Sequence, residues 1–313
     1  MVSPVRRVVA SQISLRNTMD FPKRITLEFT NHCNLHCVFC PRRFMEKETG
    51  FMDVGLARKL MEEMGHWSRT EPVAVVPFFR GESLTHPQWD ILLEYLHEFG
   101  LGPIQMATNA SLLTEARALR LLEIGVDTLS FSMDTLDPQV YRLLRGSDYK
   151  KSLANVLRFL EMRADHQGQG GCRVVQVSAV ETEKNRDGMD AFVDFWRGLA
   201  DRIRIYPEHS ADGNPGSLPG KSPVTTPRIA CRKVMEEMVI YWNGDVALCN
   251  HDWTRRVTGQ FIGSVQEHDI HTVWHSAAYE AIRQAHFSNR LEGIAPCEHC
   301  AHWRGEPVGI VKE

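Results

Sequence analysis

The sequence lacks the features that would place a chain in a membrane or on a nucleic acid. No apolar run among its 313 residues approaches the roughly 20 residues that a bilayer-spanning helix needs. Arg6 and Arg7 are followed by no continuous apolar stretch, so the N-terminal segment does not read as a secretory signal. With 36 Lys and Arg against 39 Asp and Glu, the formal net charge is −3, which offers nucleic acid no basic field. We therefore expect a cytoplasmic protein that binds neither membranes nor nucleic acids.

Strand and helix patterns alternate along most of the chain, and no internal repeat or low-complexity tract interrupts them. Six βα units with right-handed crossovers predict an α/β fold with a parallel sheet or an incomplete barrel. In such folds the active site lies at the carboxyl ends of the strands. The predicted strands are 24–29, 73–79, 104–107, 128–133, 173–180 and 203–206. The predicted helices are 52–64, 89–99, 114–124, 149–163, 189–200 and 273–287, with Asp53 and Thr114 as N-caps.

Eight cysteines are the most informative residues, because clustered cysteines in a chain without a secretory signal indicate metal or redox chemistry rather than disulfides. Cys33, Cys37 and Cys40 have the spacing C-x3-C-x2-C directly after the first predicted strand. Three thiolates on one tight loop can ligate three irons of a four-iron cluster and leave the fourth iron free for a small molecule. The alternative is a zinc site completed by His32 or His36.

Together with this cluster, segments at later strand ends resemble the radical S-adenosylmethionine superfamily over roughly residues 22–210. Phe79-Arg80-Gly81-Glu82 resembles the family's glycine–glutamate motif, with Arg80 in place of the usual first glycine. Three further matches follow in the order of the family. They are Thr108-Asn109-Ala110 for a segment usually read Thr-Asn-Gly, Ser130-Phe131-Ser132-Met133-Asp134 for a Ser-x-Asp strand end, and Leu144-Arg145-Gly146 for an Arg-Gly step.

The resemblance implies a partial (β/α)6 barrel that binds S-adenosylmethionine and a [4Fe-4S] cluster held by the three cysteines. It implies that Glu82 binds the amino group of the methionine and that Arg145 pairs with its carboxylate. One electron from the cluster then cleaves the sulfonium to give methionine and a 5′-deoxyadenosyl radical, which the protein orients and shields. A flavodoxin- or ferredoxin-type protein is the expected electron donor. The expected cofactor contacts are Phe39, beside the adenine, with Gly81, Glu82, Thr108, Asn109, Ser132, Asp134 and Arg145.

A second set of cysteines lies in the C-terminal third. We expect an N-terminal extension over 1–21, the barrel over 22–210, and a linker with a small module over 211–313. Cys231 and Cys249 flank an Asn243-Gly244 hairpin, and Cys297 and Cys300 form a C-x2-C pair. Four cysteines suit one zinc ion or one fully ligated four-iron cluster. Their order resembles the Twitch module, a shortened SPASM domain, which implies one auxiliary [4Fe-4S] cluster; Cys172 is left as a free buried thiol.

Two reactions stay open for such an enzyme at a carbon that carries oxygen. Delivery of a hydrogen atom from a thiol to the opposite face would invert the carbon, and loss of an electron and a proton would oxidise it. We favour epimerisation, with Cys249 as the hydrogen donor. The alternative is a dehydrogenase in which Cys249 is a cluster ligand and the auxiliary cluster accepts the electron. The size and cysteine layout of the chain resemble the family's members in aminoglycoside biosynthesis.

An aminoglycoside substrate is polycationic, so its pocket is expected to be acidic. His209 and His251 are candidate acid–base groups at the reacting carbon. Two other hypotheses stay open, a peptide-modifying radical enzyme and a non-catalytic iron–sulfur or zinc protein. The expected ammonium contacts are Glu181, Glu208, Asp212 and Asp252.

Overall fold

The computed structural model describes residues 20–44, 48–166, 170–208, 228–253, 262–294, 296–298, 300 and 310–312. Six parallel strands follow one another around an open barrel. Pairing runs in chain order within two groups, and the parallel bridge between Val75 and Ile104 joins the groups. The predicted α/β class with a partial barrel is confirmed. The strands are β1 (Arg24–Leu27), β2 (Ala74–Val76), β3 (Gln105–Thr108), β4 (Val126–Ser132), β5 (Cys172–Glu181) and β6 (Arg202–Pro207).

Helices follow the strands, and their boundaries are set by capping residues. The side chains of Asp53 and Thr114 accept hydrogen bonds from the first turns of their helices, as predicted. One helix was not predicted, although Asp137 caps it and it ends at Gly146 with φ +68°. The helices of the barrel are α1 (Val54–Ser68), α2 (Trp89–Glu98), α3 (Glu115–Ile124), α4 (Pro138–Arg145), α5 (Tyr149–Asp165) and α6 (Met189–Trp196).

Several predicted elements are too long or wrongly merged. The strand predicted over 73–79 ends at Val76, because Pro77 has no N–H to continue the ladder. The helix predicted over 189–200 ends at Trp196. The helix predicted over 273–287 is two helices, α8 (Ile270–Trp274) and α9 (Ala277–Ser288), because Ser276 caps the second one. Within the described residues, every helix is too short or too polar to cross a bilayer.

The C-terminal segment continues the sheet at both of its edges. The predicted Asn243-Gly244 hairpin is confirmed, and its first strand also pairs in parallel with β1. The last strand pairs antiparallel with β6. The C-terminal segment is therefore built onto the barrel through backbone hydrogen bonds. Its remaining elements are α7 (Arg232–Glu236), β7 (Glu237–Ile240), β8 (Asp245–Ala247), β9 (Gly263–Ser264) and β10 (Ile310–Lys312).

A carboxylate of α1 also fastens the C-terminal segment to the barrel. Glu63 accepts hydrogen bonds from the backbone N–H groups of Ile270 at 2.8 Å and His271 at 2.9 Å, the first two residues of α8. The ring of His271 stacks on Trp67 of α1, with 5.1 Å between ring centroids. Glu63 thus caps a helix that lies more than 200 residues further along the chain.

We predict that Glu63→Ala lowers the free energy of unfolding by about 1–2 kcal/mol, because two helix N–H groups lose their acceptor. Urea unfolding of the anaerobic holoprotein measures the change. The matched control is Glu62→Ala, the exposed neighbour on the same helix, which should change stability by less than about 0.5 kcal/mol. Equal effects of the two substitutions would contradict the capping role.

Candidate active site

The first three cysteines lie on the loop that follows β1, at the carboxyl end of the barrel. The Cys40 N–H donates to the Cys37 carbonyl at 3.1 Å, which folds the loop back on itself. Burial raises the pKa of Cys33, Cys37 and Cys40, and neighbouring thiols of the same loop raise it further. Each thiolate makes ionisation of its neighbours less favourable, and bound iron cations would offset this repulsion. The three thiols are therefore a donor set suited to an iron cluster.

Glu82 is the centre of a buried hydrogen-bond network beside this loop. The Thr108 hydroxyl donates to Glu82 Oε1 at 2.9 Å, and the Asn109 N–H donates to Oε2 at 2.8 Å. Burial nevertheless raises the pKa of the Glu82 carboxyl. A cationic group against this carboxylate would offset the cost of its burial, so the geometry suits the expected contact with a ligand amino group.

The same network fixes the cysteine loop relative to β3. The Asn109 side-chain amide donates to Asn34 Oδ1 at 3.0 Å, and Asn34 donates to Ser111 Oγ at 2.7 Å. Thr108 and Asn109 therefore orient Glu82 and the cysteine loop. Ala110, which stands where the family usually has glycine, adopts φ +60° in the left-handed region that favours glycine.

Gly81 is required by the close approach of two backbone segments. A Cβ atom there would lie 2.2 Å from the Thr30 carbonyl oxygen and 2.6 Å from that of His32. This proximity lets the Glu82 N–H donate to the His32 carbonyl at 2.7 Å. The glycine–glutamate motif is thus hydrogen-bonded to the residue just before Cys33.

Asp134 and Arg145 form a buried ion pair under the cysteine loop. Asp134 has φ +58° and also accepts a hydrogen bond from the Val180 N–H at 2.8 Å. Arg145 Nη1 lies 3.9 Å from Cys37 Sγ, and its guanidinium lies over the Phe39 ring, 5.6 Å from the centroid. Asp134 thus supplies the carboxylate that pairs with Arg145 in the protein itself, and the contact with a methionine carboxylate that the resemblance implies stays a prediction.

Arg80, which departs from the family pattern, has a buried carboxylate partner in Glu28, the residue that directly follows β1. Its Nε and Nη2 donate to the two oxygens of Glu28, each at 2.7 Å. The Trp242 N–H, from the β7–β8 turn, donates to the same carboxylate at 3.3 Å, and the guanidinium lies 3.7 Å above the Tyr241 ring centroid. Sequence reasoning missed Glu28, since a single acidic residue at the end of a short strand gives no local sign of a partner more than 50 residues away.

The four C-terminal cysteines lie close enough to perturb one another. Burial raises the pKa of Cys249 well above its usual value, and Cys297, Cys300 and Cys231 raise it further. Burial and the neighbouring Cys231 and Cys300 raise the pKa of Cys297 to about 12. Cys249 and Cys297 are buried and Cys231 and Cys300 are half-buried, and four thiols are the donor set of a fully ligated four-iron cluster. Cys172, by contrast, is buried at the start of β5, where its thiol donates to the Val174 carbonyl at 3.3 Å.

A cavity of about 550 Å³ occupies the inside of the barrel. Ser132, Asp134 and Arg145 line it near the first cysteine loop. Asn250 and His251, the two residues after Cys249, line it from the C-terminal segment, and the His251 N–H donates to Cys249 Sγ at 3.4 Å. The cavity therefore extends from the surroundings of the first cysteine group to those of the second.

The acidic residues predicted to contact substrate lie elsewhere in the described part of the chain. Glu181 accepts a hydrogen bond from Arg186 at 3.0 Å, and the Glu208 N–H donates to the Glu181 carbonyl. Asp252 is buried and accepts from the Leu248 N–H at 3.2 Å. None of the three carboxylates is among the described residues that line the cavity. Asp212 and His209 lie outside the described residues.

Comparisons with known proteins agree with both cysteine groups. Residues 27–172 match the model of the Radical SAM superfamily, and residues 231–301 match that of the SPASM iron-sulfur cluster-binding domain. These domains imply S-adenosylmethionine, a [4Fe-4S] cluster and auxiliary iron–sulfur ligation, in place of the zinc alternatives.

Similar proteins differ in what their names describe. A tungsten-containing aldehyde ferredoxin oxidoreductase cofactor-modifying protein from Pyrococcus furiosus is 24% identical and aligns over 83% of each chain. Other curated relatives align over only 39% to 50% of their own length. Streptococcus suis SuiB bound to precursor peptide SuiA has a TM-score of 0.65 at 19% identity, covering 89% of this chain and 70% of SuiB. BtrN in complex with AdoMet and 2-DOIA has a TM-score of 0.56 at 20% identity, covering 90% and 93%.

We predict that Arg80→Met costs about 3–5 kcal/mol of unfolding free energy, because it leaves the Glu28 carboxylate buried without its cation. Glu28→Gln should also destabilise, and the double variant should lose less than the two single losses combined. Urea unfolding under anaerobic conditions gives the three values.

The control for this cycle is Arg173→Met, which removes an exposed guanidinium paired with Asp127. It should cost less than about 1 kcal/mol. Strict additivity of the two buried substitutions would show that Glu28 and Arg80 do not depend on each other.

Proposed function

This chain carries a radical S-adenosylmethionine domain followed by a SPASM iron–sulfur domain, and from that premise we propose that it is a radical enzyme that oxidises a small molecule held inside the barrel. The observation that carries the proposal is the position of Cys249. It is buried among three other cysteines, and the residue after it lines the cavity. An electron acceptor held there would lie beside the substrate.

The protein's own residues supply binding, orientation and shielding for this reaction. Cys33, Cys37 and Cys40 would hold the first cluster, and Cys231, Cys249, Cys297 and Cys300 the second. When bound, the first cluster and S-adenosylmethionine supply a 5′-deoxyadenosyl radical that takes one hydrogen atom from substrate, and oxidation is complete once the second cluster has taken one electron and a base one proton. His251 lines the cavity, and its imidazole is the candidate base for that proton.

Epimerisation, the reaction favoured at the outset, requires Cys249 as a hydrogen donor outside the cluster. Its burial among the other thiols supports the ligand role instead, so we propose the dehydrogenase alternative. No cysteine, Cys249 included, is among the described residues that line the cavity, so the lining supplies no thiol as a hydrogen donor.

The size of the cavity supports a small molecule as substrate. About 550 Å³ lies within the range of pockets for small ligands. The relatives do not decide this point, because one is named for modifying a cofactor and SuiB was crystallised with a peptide.

We predict that Cys249→Ala lowers the iron content from about eight to about four atoms per chain. Release of 5′-deoxyadenosine with dithionite should persist, because the first cysteine group is intact, whereas substrate oxidation should be lost. The control is Cys172→Ala, which should keep all the iron. A Cys249→Ala protein with full iron content would return Cys249 to the role of hydrogen donor.

A second prediction separates oxidation from inversion directly. The reduced holoenzyme is incubated with S-adenosylmethionine and a small-molecule extract in deuterated water, and products are compared by mass spectrometry. We expect a product two mass units lighter than its precursor, without solvent deuterium at the reacting carbon. A product that gains one deuterium at an inverted centre would establish epimerisation.

A further inference from the structure

The lining of the barrel cavity carries an excess of positive charge. The described lining residues include two carboxylates, and each belongs to an ion pair, Asp134 with Arg145 and Glu237 with Lys233 at 3.2 Å. Three further guanidinium groups line the same cavity, those of Arg24, Arg202 and Arg204. The lining therefore has five cationic side chains against two anionic ones.

Two of these arginines have no carboxylate partner in the described part of the chain. Arg24 donates to the neutral amide oxygen of Gln105 at 3.0 Å. Arg202 lines the cavity without an ion pair to any described carboxylate. A half-buried guanidinium without an anion loses hydration and gains little in return. An anionic ligand would supply the missing partner.

The alternation of side chains along the strands places these groups inside the barrel. In β6, Ile203 and Ile205 are buried in the hydrophobic core, whereas Arg202 and Arg204 line the cavity. Arg24 and Arg202 are the first residues of β1 and β6. Both therefore lie at the amino end of the barrel, opposite the cysteine loop that follows β1.

Uncharged hydrogen-bonding side chains line the cavity beside Arg202, whose register partner in β5 is Gln176. Gln176 Nε2 donates to Ser130 Oγ at 2.9 Å, and Ser130 and Ser178 hydroxyls lie 3.3 Å apart. All three line the cavity. A closed barrel is usually filled here by branched apolar residues. A polar interior of this volume is instead suited to a polar ligand.

We propose that the substrate is a small organic anion, whose carboxylate or phosphate group binds Arg24 and Arg202 at the amino end of the barrel. Its reacting carbon then lies near Ser132 and Asp134 at the carboxyl end. This inference rests on the proposed function, in that the barrel cavity is taken as the substrate site. A polycationic aminoglycoside would face like charges there.

The test measures binding by calorimetry to the anaerobic holoenzyme with S-adenosylmethionine present. The probes are inorganic pyrophosphate, glutarate and spermidine. We expect one or both anions to bind and spermidine not to bind; preference for pyrophosphate or glutarate tells a phosphate substrate from a carboxylate one. Arg24→Gln/Arg202→Gln should weaken anion binding at least tenfold. The matched control is Arg197→Gln, an exposed arginine paired with Asp194, which should leave it unchanged.

Three results would overturn the proposal. They are binding of spermidine in preference to both anions, failure of both anions to bind, and anion binding that the double variant does not weaken. If the double variant does not fold, the single variant Arg202→Gln replaces it. This substitution removes no described ion pair and should weaken anion binding at least threefold.

Release of 5′-deoxyadenosine by the wild-type enzyme without substrate is measured separately. Its absence would refute the radical function and leave the anion site standing, whereas release without anion binding would refute the anion site alone.

Discussion

The buried Glu28 carboxylate is the constraint on which the arrangement of both cysteine groups depends. It follows the last residue of β1 directly, is fully buried, and accepts hydrogen bonds from the Arg80 guanidinium and the N–H of Trp242. A buried charge without its partners costs several kcal/mol, so strand β1, the loop of Gly81 and the β7–β8 turn must assemble together. The residue that departs from the family pattern is therefore the one that joins the barrel to the C-terminal segment.

The assembly of these three segments fixes the positions of Glu82 and of the two cysteine groups. Glu82 follows Arg80 by two residues, and the close packing of Gly81 against Thr30 leaves the Glu82 backbone bonded to His32. The cysteine loop begins at the next residue. On the other side, Tyr241 stacks beneath Arg80 and its hydroxyl donates to the Asp252 carbonyl at 2.6 Å, close after Cys249. One buried ion pair thus connects the surroundings of two groups of thiols that lie far apart in sequence.

Local patterns predicted most of the fold, and non-local contacts account for what they missed. Strand periodicity, cysteine spacing and the caps at Asp53 and Thr114 are read within a few residues, and they were correct. The short helix α4 was missed although Asp137, Pro138 and Gly146 mark its ends. The parallel pairing of β7 with β1, and the partner of Arg80, depend on contacts between distant segments that no short pattern encodes.

The charge of the cavity was not among the predictions. An acidic substrate pocket stays a prediction, whereas the sequence Arg202-Ile203-Arg204-Ile205 indicates the basic residues that line the barrel cavity. Helices cover the outside of such a barrel, so the isoleucines must face outward and the arginines inward. The inward charges also differ along the barrel axis. At the carboxyl end Arg145 is neutralised by Asp134, whereas Arg24 and Arg202 form no ion pair with a described carboxylate, because Glu237 beside Arg24 is paired with Lys233. Positive charge without an ion-paired carboxylate can therefore orient an anionic ligand along the barrel axis.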